Sequence, residues 1–316
     1  IKIKSLLILY KPKFQLYMKI YDCFQFFDEE MLLDLRLHIM DKYVEKFVIT
    51  EATYMHNGKS KKLTFDINKF KKFKDKIIYI IVDKEPSDLH QIYESDMDKD
   101  DTKGQKLIMN GYKRDNFQRE MANPYLDKIN DNDWILINDI DEIPNLEGVN
   151  FNNLSNKLVF FKQKIFFYKF NLYYPSVPWF GSRACRKKSF LSPQWLRDLK
   201  HKKYPFWRFD TFFSKRKYSN IFYVNNGGWH FTNIKSPEDI LKKLSNYTHH
   251  DEFEKSGIKL KDLKKKVSEK KAIYDHSVDQ KSNKWDSKST LKKVDLIEMP
   301  EYLRNNYIKY GNWLDI

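Results

Sequence analysis

"WILINDIDEIP", Trp134 to Pro144, joins a short apolar run to three carboxylates, Asp139, Asp141 and Glu142. Such a run, closed by a Glu-Ile-Pro stop, reads as a buried strand with a charged end. A strand period of two puts Asp139 and Asp141 on one face, with Ile140 turned the other way into apolar packing. Two close carboxylates repel, and burial disfavours their charged forms. A divalent cation resolves both problems, and an octahedral Mn²⁺ or Mg²⁺ leaves positions for substrate phosphate oxygens. An Asp-x-Asp tripeptide is common by chance, so the competing reading is a solvated turn. Glu142 either faces away or braces the loop.

Upstream, "KIYDCFQFF", "EKFVITEA" and "KIIYIIVD" are strand candidates rich in β-branched and aromatic residues. Asp28 is placed to cap a helix running through Met40, with Glu29 and Glu30 in its first turn. Residues 84–105 lack periodicity. Their "SDMDKDDTKG" misses the Gly and Glu positions of a calcium loop and reads as a mobile acidic loop. "YKRDNFQREMANPYLDKI" is helical at least to Pro124 and leads into "DWILIND". Continuous apolar strands in this order imply a mostly parallel sheet covered on both faces. Ligands of such sheets bind beyond the carboxyl ends of the strands, which is where Asp139 and Asp141 fall.

Downstream of Pro144 the pattern turns aromatic and alternating, as in antiparallel strands: "KLVFFKQKIFFYKFNLYY", "FGSRACRKKSFL", "SNIFYVNN". "GGWHF" precedes "SPEDILKKLSNYTHH", a helix with Ser236 at its N-cap, Pro237 at its first position and Asp239 for a capping box. Residues 254–293 are Lys-rich and read as a charged surface helix with a loop. The organisation expected is an N-terminal extension (1–17), one α/β domain (18–253) and a Lys-rich segment (254–316) packed on or trailing it.

The 316 residues carry a net charge of +15, yet the lysines are scattered and accompanied by many asparagines. Solvated Lys faces explain that texture, with a basic patch for an anionic substrate or a membrane surface as the alternative. No recognition helix points to nucleic acid. The longest apolar runs fall far short of the roughly 20 residues that span a bilayer. Two cysteines, Cys23 and Cys185, suggest buried thiols in a reducing compartment. The expectation is a soluble, unsecreted, cytoplasmic protein, with peripheral membrane contact left open.

"KIYDCFQFFDEEMLLDLRL", "FVITEATYMHNGKSKKLTF", "QRE", "ILINDIDEIP" and "GGWHFTN…KLSNYTHHDE" occur in the order seen in glycosyltransferase family 17, which residues 18 to 253 resemble. Asp28 stands where the family usually has Asn, Thr53, Met55 and Asn57 depart from its "EANYTHSGK", and Ile140 replaces the Val of its "DVDE". The resemblance implies a GT-A type, Rossmann-like nucleotide-sugar fold, a mostly parallel central sheet with an additional antiparallel part. It also implies a UDP-sugar donor, UDP-GlcNAc in the animal enzyme, a divalent metal, a glycan or glycoconjugate acceptor, and inversion at the anomeric carbon.

On that resemblance Asp141 binds Mn²⁺ (or Mg²⁺) and Asp139 contacts the metal or the ribose. His230 is a third ligand or an ordinarily hydrogen-bonded histidine. Asp22 and Glu51 meet the uridine or serve as structural caps and ion pairs. Gln118 and Arg119 match the family's "QR", and Arg119 either holds the diphosphate or pairs with Asp139. Arg183, Arg186 and Arg197 are other diphosphate partners or surface charge. Asp251 is the candidate base for the acceptor hydroxyl, with Asp210 and Glu252 as competitors. Trp179 and Trp207, with Tyr173 and Tyr174, stack on acceptor sugars or pack in the core. Two other classes are a non-catalytic sugar- or polyanion-binding module and a nucleotidyltransferase. The second lacks the expected glycine-rich loop in "DCFQFFDEE".

Overall fold

The computed structural model describes residues 18–97, 102–202, 204, 205, 207–276, 285, 287 and 289–315. The expected extension 1–17 and the centre of the acidic loop, 98–101, lie outside the described residues. The strands are β1 (Ile20–Gln25), β2 (Lys46–Ala52), β3 (Ile77–Val82), β4 (Trp134–Asp139), β5 (Glu142–Pro144), β6 (Leu158–Phe161), β7 (Gln163–Phe167), β8 (Leu172–Trp179), β9 (Arg183–Arg186), β10 (Ile221–Val224), β11 (Gly228–Thr232) and β12 (Lys292–Lys293). The α-helices are α1 (Glu30–Met40), α2 (Thr102–Glu120), α3 (Asn123–Leu126), α4 (Pro193–Asp198), α5 (Asp210–Phe213), α6 (Pro237–Leu244), α7 (His250–Lys255), α8 (Leu260–Ser268) and α9 (Glu301–Asn305).

Seven strands form one sheet in the order β10-β6-β9-β4-β1-β2-β3. Within it β3, β2, β1 and β4 run parallel, as their continuous apolar sequences require, and β9 is antiparallel to both β4 and β6. A second sheet, β12-β8-β7-β11-β5, holds the aromatic antiparallel hairpin β7–β8. The molecule is thus mixed α/β, with a mostly parallel part and an antiparallel part.

Alternation along the strands sorts the two faces of the large sheet. Ile20 and Phe24 of β1, Phe47 and Ile49 of β2, and Trp134 and Leu136 of β4 pack with Leu33, Leu37 and Met40 of α1. Tyr21, Cys23, Val48, Ile135 and Ile137 face the other way, against Leu126, Leu196 and Leu199. Each large side chain buried this way contributes roughly 1.5–3 kcal/mol. Both cysteines are buried free thiols.

Four local expectations differ from the structure, the first being that α2 begins at Thr102, inside the stretch 84–105 read as a loop. Helix α1 is not capped by Asp28: Glu29 occupies the N-cap position and its carboxylate accepts from the Phe27 and Asp28 amides at 3.2 and 3.1 Å. The longer Glu side chain folds back on the incoming chain, while Asp28 pairs with Lys235. Strand β4 stops at Asp139, and Ile140–Asp141 form a tight turn into β5, so the period of two does not carry through to Asp141. Ser236 does cap α6, accepting from the Asp239 amide at 3.1 Å, but Asp239 answers by accepting from the Ser236 hydroxyl rather than from its amide.

Residues beyond 253 complete the core. Leu263, Ala272, Ile273 and Leu291 pack with Phe167, Tyr174, Ile240 and Leu244. Met299, Leu303, Tyr310 and Leu314 join the cluster around α1.

Candidate active site

Asp139 has the parity of Ile135 and Ile137, so it leaves the end of β4 on the face covered by α2 and α4. Both elements meet it with arginine. Arg119, at the end of α2, donates from Nη2 to Asp139 Oδ1 at 3.2 Å, and Arg197 of α4 donates from Nη2 to Asp139 Oδ2 at 2.6 Å. Arg119 also reaches the Gln25 side-chain oxygen at 2.6 Å and bridges to Asp115. The tight turn then swings Asp141 toward β11 and α6. Its Oδ1 lies 3.7 Å from His230 Nε2 and its Oδ2 3.8 Å from Lys243 Nζ.

Glu142 closes the turn and is fully buried. Its carboxylate accepts the Asp139 amide at 2.9 Å, Arg197 Nη1 and Nη2 at 2.7 and 2.8 Å, and the Trp179 indole at 2.5 Å. It therefore braces the loop. Gly181 is obligatory beside it, because a β-carbon there would stand 1.9 Å from Glu142 Oε1. Gly228, with φ of 110°, lets β11 pass so close to β5 that a β-carbon would meet the Ile143 carbonyl at 2.2 Å.

A second brace lies beneath. Arg36 of α1 and Asp22 of β1 form a fork–fork pair at 2.8 and 2.6 Å, both fully buried. The remaining Arg36 nitrogen, Nη1, donates to the Glu142 carbonyl at 2.7 Å and approaches those of Asp139 and Ile140 at 3.3 and 3.4 Å. One guanidinium thus ties the first helix to the first strand and to the backbone of the Asp139–Glu142 turn.

Above the turn opens a cavity of about 270 Å³ lined by the Gln25–Phe27 strand end, Glu29, His56, Asp115, Gln118, Arg119, Asp139, Ile140, Asp141, Lys243 and Asn246–Thr248. Stretches far apart in sequence, "TYMHNGK", "QRE", "NDIDE" and "KLSNYTHH", converge on it. His56 Nδ1 lies 3.0 Å from the Thr248 hydroxyl and its Nε2 3.8 Å from Asp115. Burial holds the His56 imidazole below its ordinary pKa despite Asp115. Burial by itself would raise Asp141, but His230, then Lys243 and Arg197, outweigh it and hold this carboxyl well below the usual range. Burial also works against ionised Glu142, and Arg197 with its hydrogen bond prevails, so that carboxyl too is held down.

The other sequence candidates divide clearly. Gln118 lines the cavity and donates to the Thr50 carbonyl at 2.9 Å. Asp22 sits in the middle of β1 rather than at its end, its oxygens taken by Arg36 and Asn138. Glu51 is fully buried and accepts from Lys61, the Thr64 and Phe65 amides and the Tyr79 hydroxyl. Neither carboxylate lines the cavity. Trp179 stacks on His230 at 4.8 Å and binds Glu142; Trp207 is exposed and does not line the cavity. Asp251 faces Lys255 at 2.7 Å, one turn along α7, and is absent from the lining, as are Asp210, held by Arg208 and Lys217, and Glu252, which meets His249. Arg183 donates to the Leu196 carbonyl of α4 and Arg186 to the Asn132 carbonyl in the loop before β4. Sequence reading missed Arg36, Lys243, Glu29 and Asn246–Thr248, and it left Arg197 undecided. All but Arg197 did lie within quoted motifs, Glu29 and Arg36 in "KIYDCFQFFDEEMLLDLRL" and Lys243 and Asn246–Thr248 in "KLSNYTHHDE".

The donor set for a divalent ion is sparse. Among the described residues no three His, Cys, Asp or Glu side chains converge as a ready-made metal site. Asp139, expected as a ligand, has both oxygens engaged by guanidinium groups. Asp141 Oδ1 and His230 Nε2 do face one another at 3.7 Å, while the other ring nitrogen, Nδ1, points away from that pair and is buried with no partner among the described residues. One carboxylate and one imidazole fit an ion that takes much of its coordination from substrate phosphates.

Among the described residues no helix is long and apolar enough to cross a membrane. No curated protein matches the chain. The family model for glycosyltransferase family 17 matches residues 9–314, including most of the C-terminal segment that the sequence resemblance left out. With that match over nearly its whole length, the chain belongs to glycosyltransferase family 17.

Proposed function

We propose that the chain is a metal-dependent, inverting glycosyltransferase of GT-A type that moves a sugar, GlcNAc from UDP-GlcNAc, to a glycan hydroxyl. The observation that carries this reading is the Asp139–Glu142 turn, which delivers two differently partnered carboxylates to a cavity shared with Arg119, Lys243 and His56. Asp141 and His230 would hold Mn²⁺ or Mg²⁺, which when bound supplies electrophilic stabilisation to the departing diphosphate. Arg119 and Lys243 bring fixed positive charge to the same place, where it acts strongly because water is largely displaced. Asp139, pinned by Arg119 and Arg197, holds the Arg119 fork in position.

In the displacement the acceptor oxygen bonds to the anomeric carbon as the bond to UDP breaks, its electron pair leaving with the diphosphate. The acceptor proton must pass to a base within hydrogen-bond reach. Glu29 takes this role in place of Asp251. It lines the cavity and, among the described residues, its carboxylate is bound to backbone amides with no ion pair at salt-bridge distance.

Calorimetric titration with UDP and UDP-GlcNAc, in manganese and then in EDTA, tests the reading. Metal-dependent binding in the native chain that is lost in Asp141→Asn is the expected result. Binding indifferent to both metal and Asp141 would overturn it and favour a non-catalytic sugar-binding module.

A further inference from the structure

The segment after α4 carries the molecule's most exposed aromatic side chains among the described residues. Trp207 is 64 % exposed, Phe209 78 % and Phe213 90 %. Exposed rings of this size, clustered within a few residues, mark an interaction surface. Phe209 already has helical backbone angles and precedes α5, so Phe209 and Phe213 stand four residues apart on one face.

The described residues of this stretch are tied to one another and to the body of the molecule. The Lys200 amide donates to the Arg216 carbonyl at 3.0 Å, and the Trp195 indole to the Lys215 carbonyl at 2.7 Å, closing the neck of the loop. His201 stacks on Phe180 at 5.0 Å, and its carbonyl accepts the Tyr223 hydroxyl at 3.1 Å. Buried Tyr204 lies under Arg208 and Lys217, at 5.6 and 6.0 Å. Asp210, the one carboxylate of the tip, ties Arg208 and Lys217 together.

Charge decides what covers the rings. The same stretch carries Lys200, Lys202, Arg208, Lys215, Arg216 and Lys217, of which Arg208 and Lys217 pair with Asp210 and Arg216 with Asp198 of α4, and all but Lys217 are exposed. Aromatic rings projecting from a collar of Lys and Arg match the interfacial zone of an anionic bilayer. There the rings enter the headgroup–acyl boundary and the cations meet lipid phosphates. A protein partner whose apolar face carries no acidic rim would gain nothing from such a collar.

We propose that Trp207, Phe209 and Phe213, with the exposed cations Lys200, Lys202, Arg208, Lys215 and Arg216, form a peripheral docking element for anionic membrane surfaces. The neck follows directly on α4, whose Arg197 holds the cavity carboxylates, so docking would be mechanically continuous with the site. The inference stands on the loop alone and does not depend on the glycosyl-transfer reading.

Co-sedimentation of the full chain with phosphatidylcholine vesicles, with and without phosphatidylserine, tests it. The native chain should bind the serine-containing vesicles and not the neutral ones. Phe209→Ser with Phe213→Ser should weaken that binding about tenfold or more, with an unchanged thermal midpoint because both rings are exposed. Lys202→Glu with Lys215→Glu should weaken it comparably and reduce its sensitivity to salt. The proposal fails if the native chain ignores anionic vesicles, or if the Phe209/Phe213 variant binds them undiminished. It also fails if the rings instead mediate self-association, seen as a concentration-dependent dimer that this variant abolishes.

Discussion

Replacing Arg36 by Met would test whether one buried guanidinium organises the site. The substitution keeps the apolar stem of the side chain and its place on α1 while removing the guanidinium. It strands the Asp22 carboxylate at zero exposure with only the Asn138 amide at 2.7 Å, and frees the Glu142 carbonyl of its 2.7 Å donor. Removing one partner of a buried pair costs about 3–5 kcal/mol, because the surviving charge is uncompensated. The lost carbonyl bond falls in the same network and adds at most about 1 kcal/mol. A loss near 4 kcal/mol is a large share of the roughly 5–15 kcal/mol that keeps a protein folded. Urea titration should show the midpoint falling with the slope unchanged. Adding Asp22→Asn to Arg36→Met removes the stranded charge and should restore at least half of the loss. A loss under about 1 kcal/mol, or no recovery in the double variant, would refute the argument.

Arg197→Gln and Arg119→Gln should separate structural from ligand-facing cations. The first strands fully buried Glu142 and should cost about 3 kcal/mol in chemical denaturation. The second leaves Asp139 and Asp115, 38 and 21 % exposed, to be solvated, so it should cost about 1 kcal/mol or less while weakening UDP binding in calorimetry. For His56 the sign runs with pH. Its imidazole titrates lower in the folded chain than its ordinary value of about 6.5, so the unfolded chain binds the extra proton first. Stability is therefore full above about pH 6.5 and declines as pH falls toward the folded value. His56→Gln should flatten that decline in thermal melts between pH 7.5 and 5.5 (roughly one unit either side of the ordinary value); an unchanged slope would contradict the assignment.

Much of the scaffold was already written in periodicity. Apolar runs of strand length announced β1 to β4 and a mostly parallel sheet, because a strand covered on both faces is apolar at most of its positions. The Ser-Pro start announced α6, because a hydroxyl and a fixed φ answer the unpaired amides of a helix N-terminus. The Asp139–Glu142 turn was legible as a charged strand end. So were the separate motifs that later met around one cavity. Which carboxylates reach that cavity was not legible. Asp22, Glu51 and Asp139 all occupy apolar strands, and sequence does not distinguish a carboxylate facing solvent from one facing a guanidinium. Arg36 lies 14 residues from Asp22, while Arg197 lies 58 from Asp139 and Lys243 lies 102 from Asp141. A charge's role depends on what packs against it, and packing over such separations is settled only when the sheet closes and α1, α2, α4 and α6 come down on its faces.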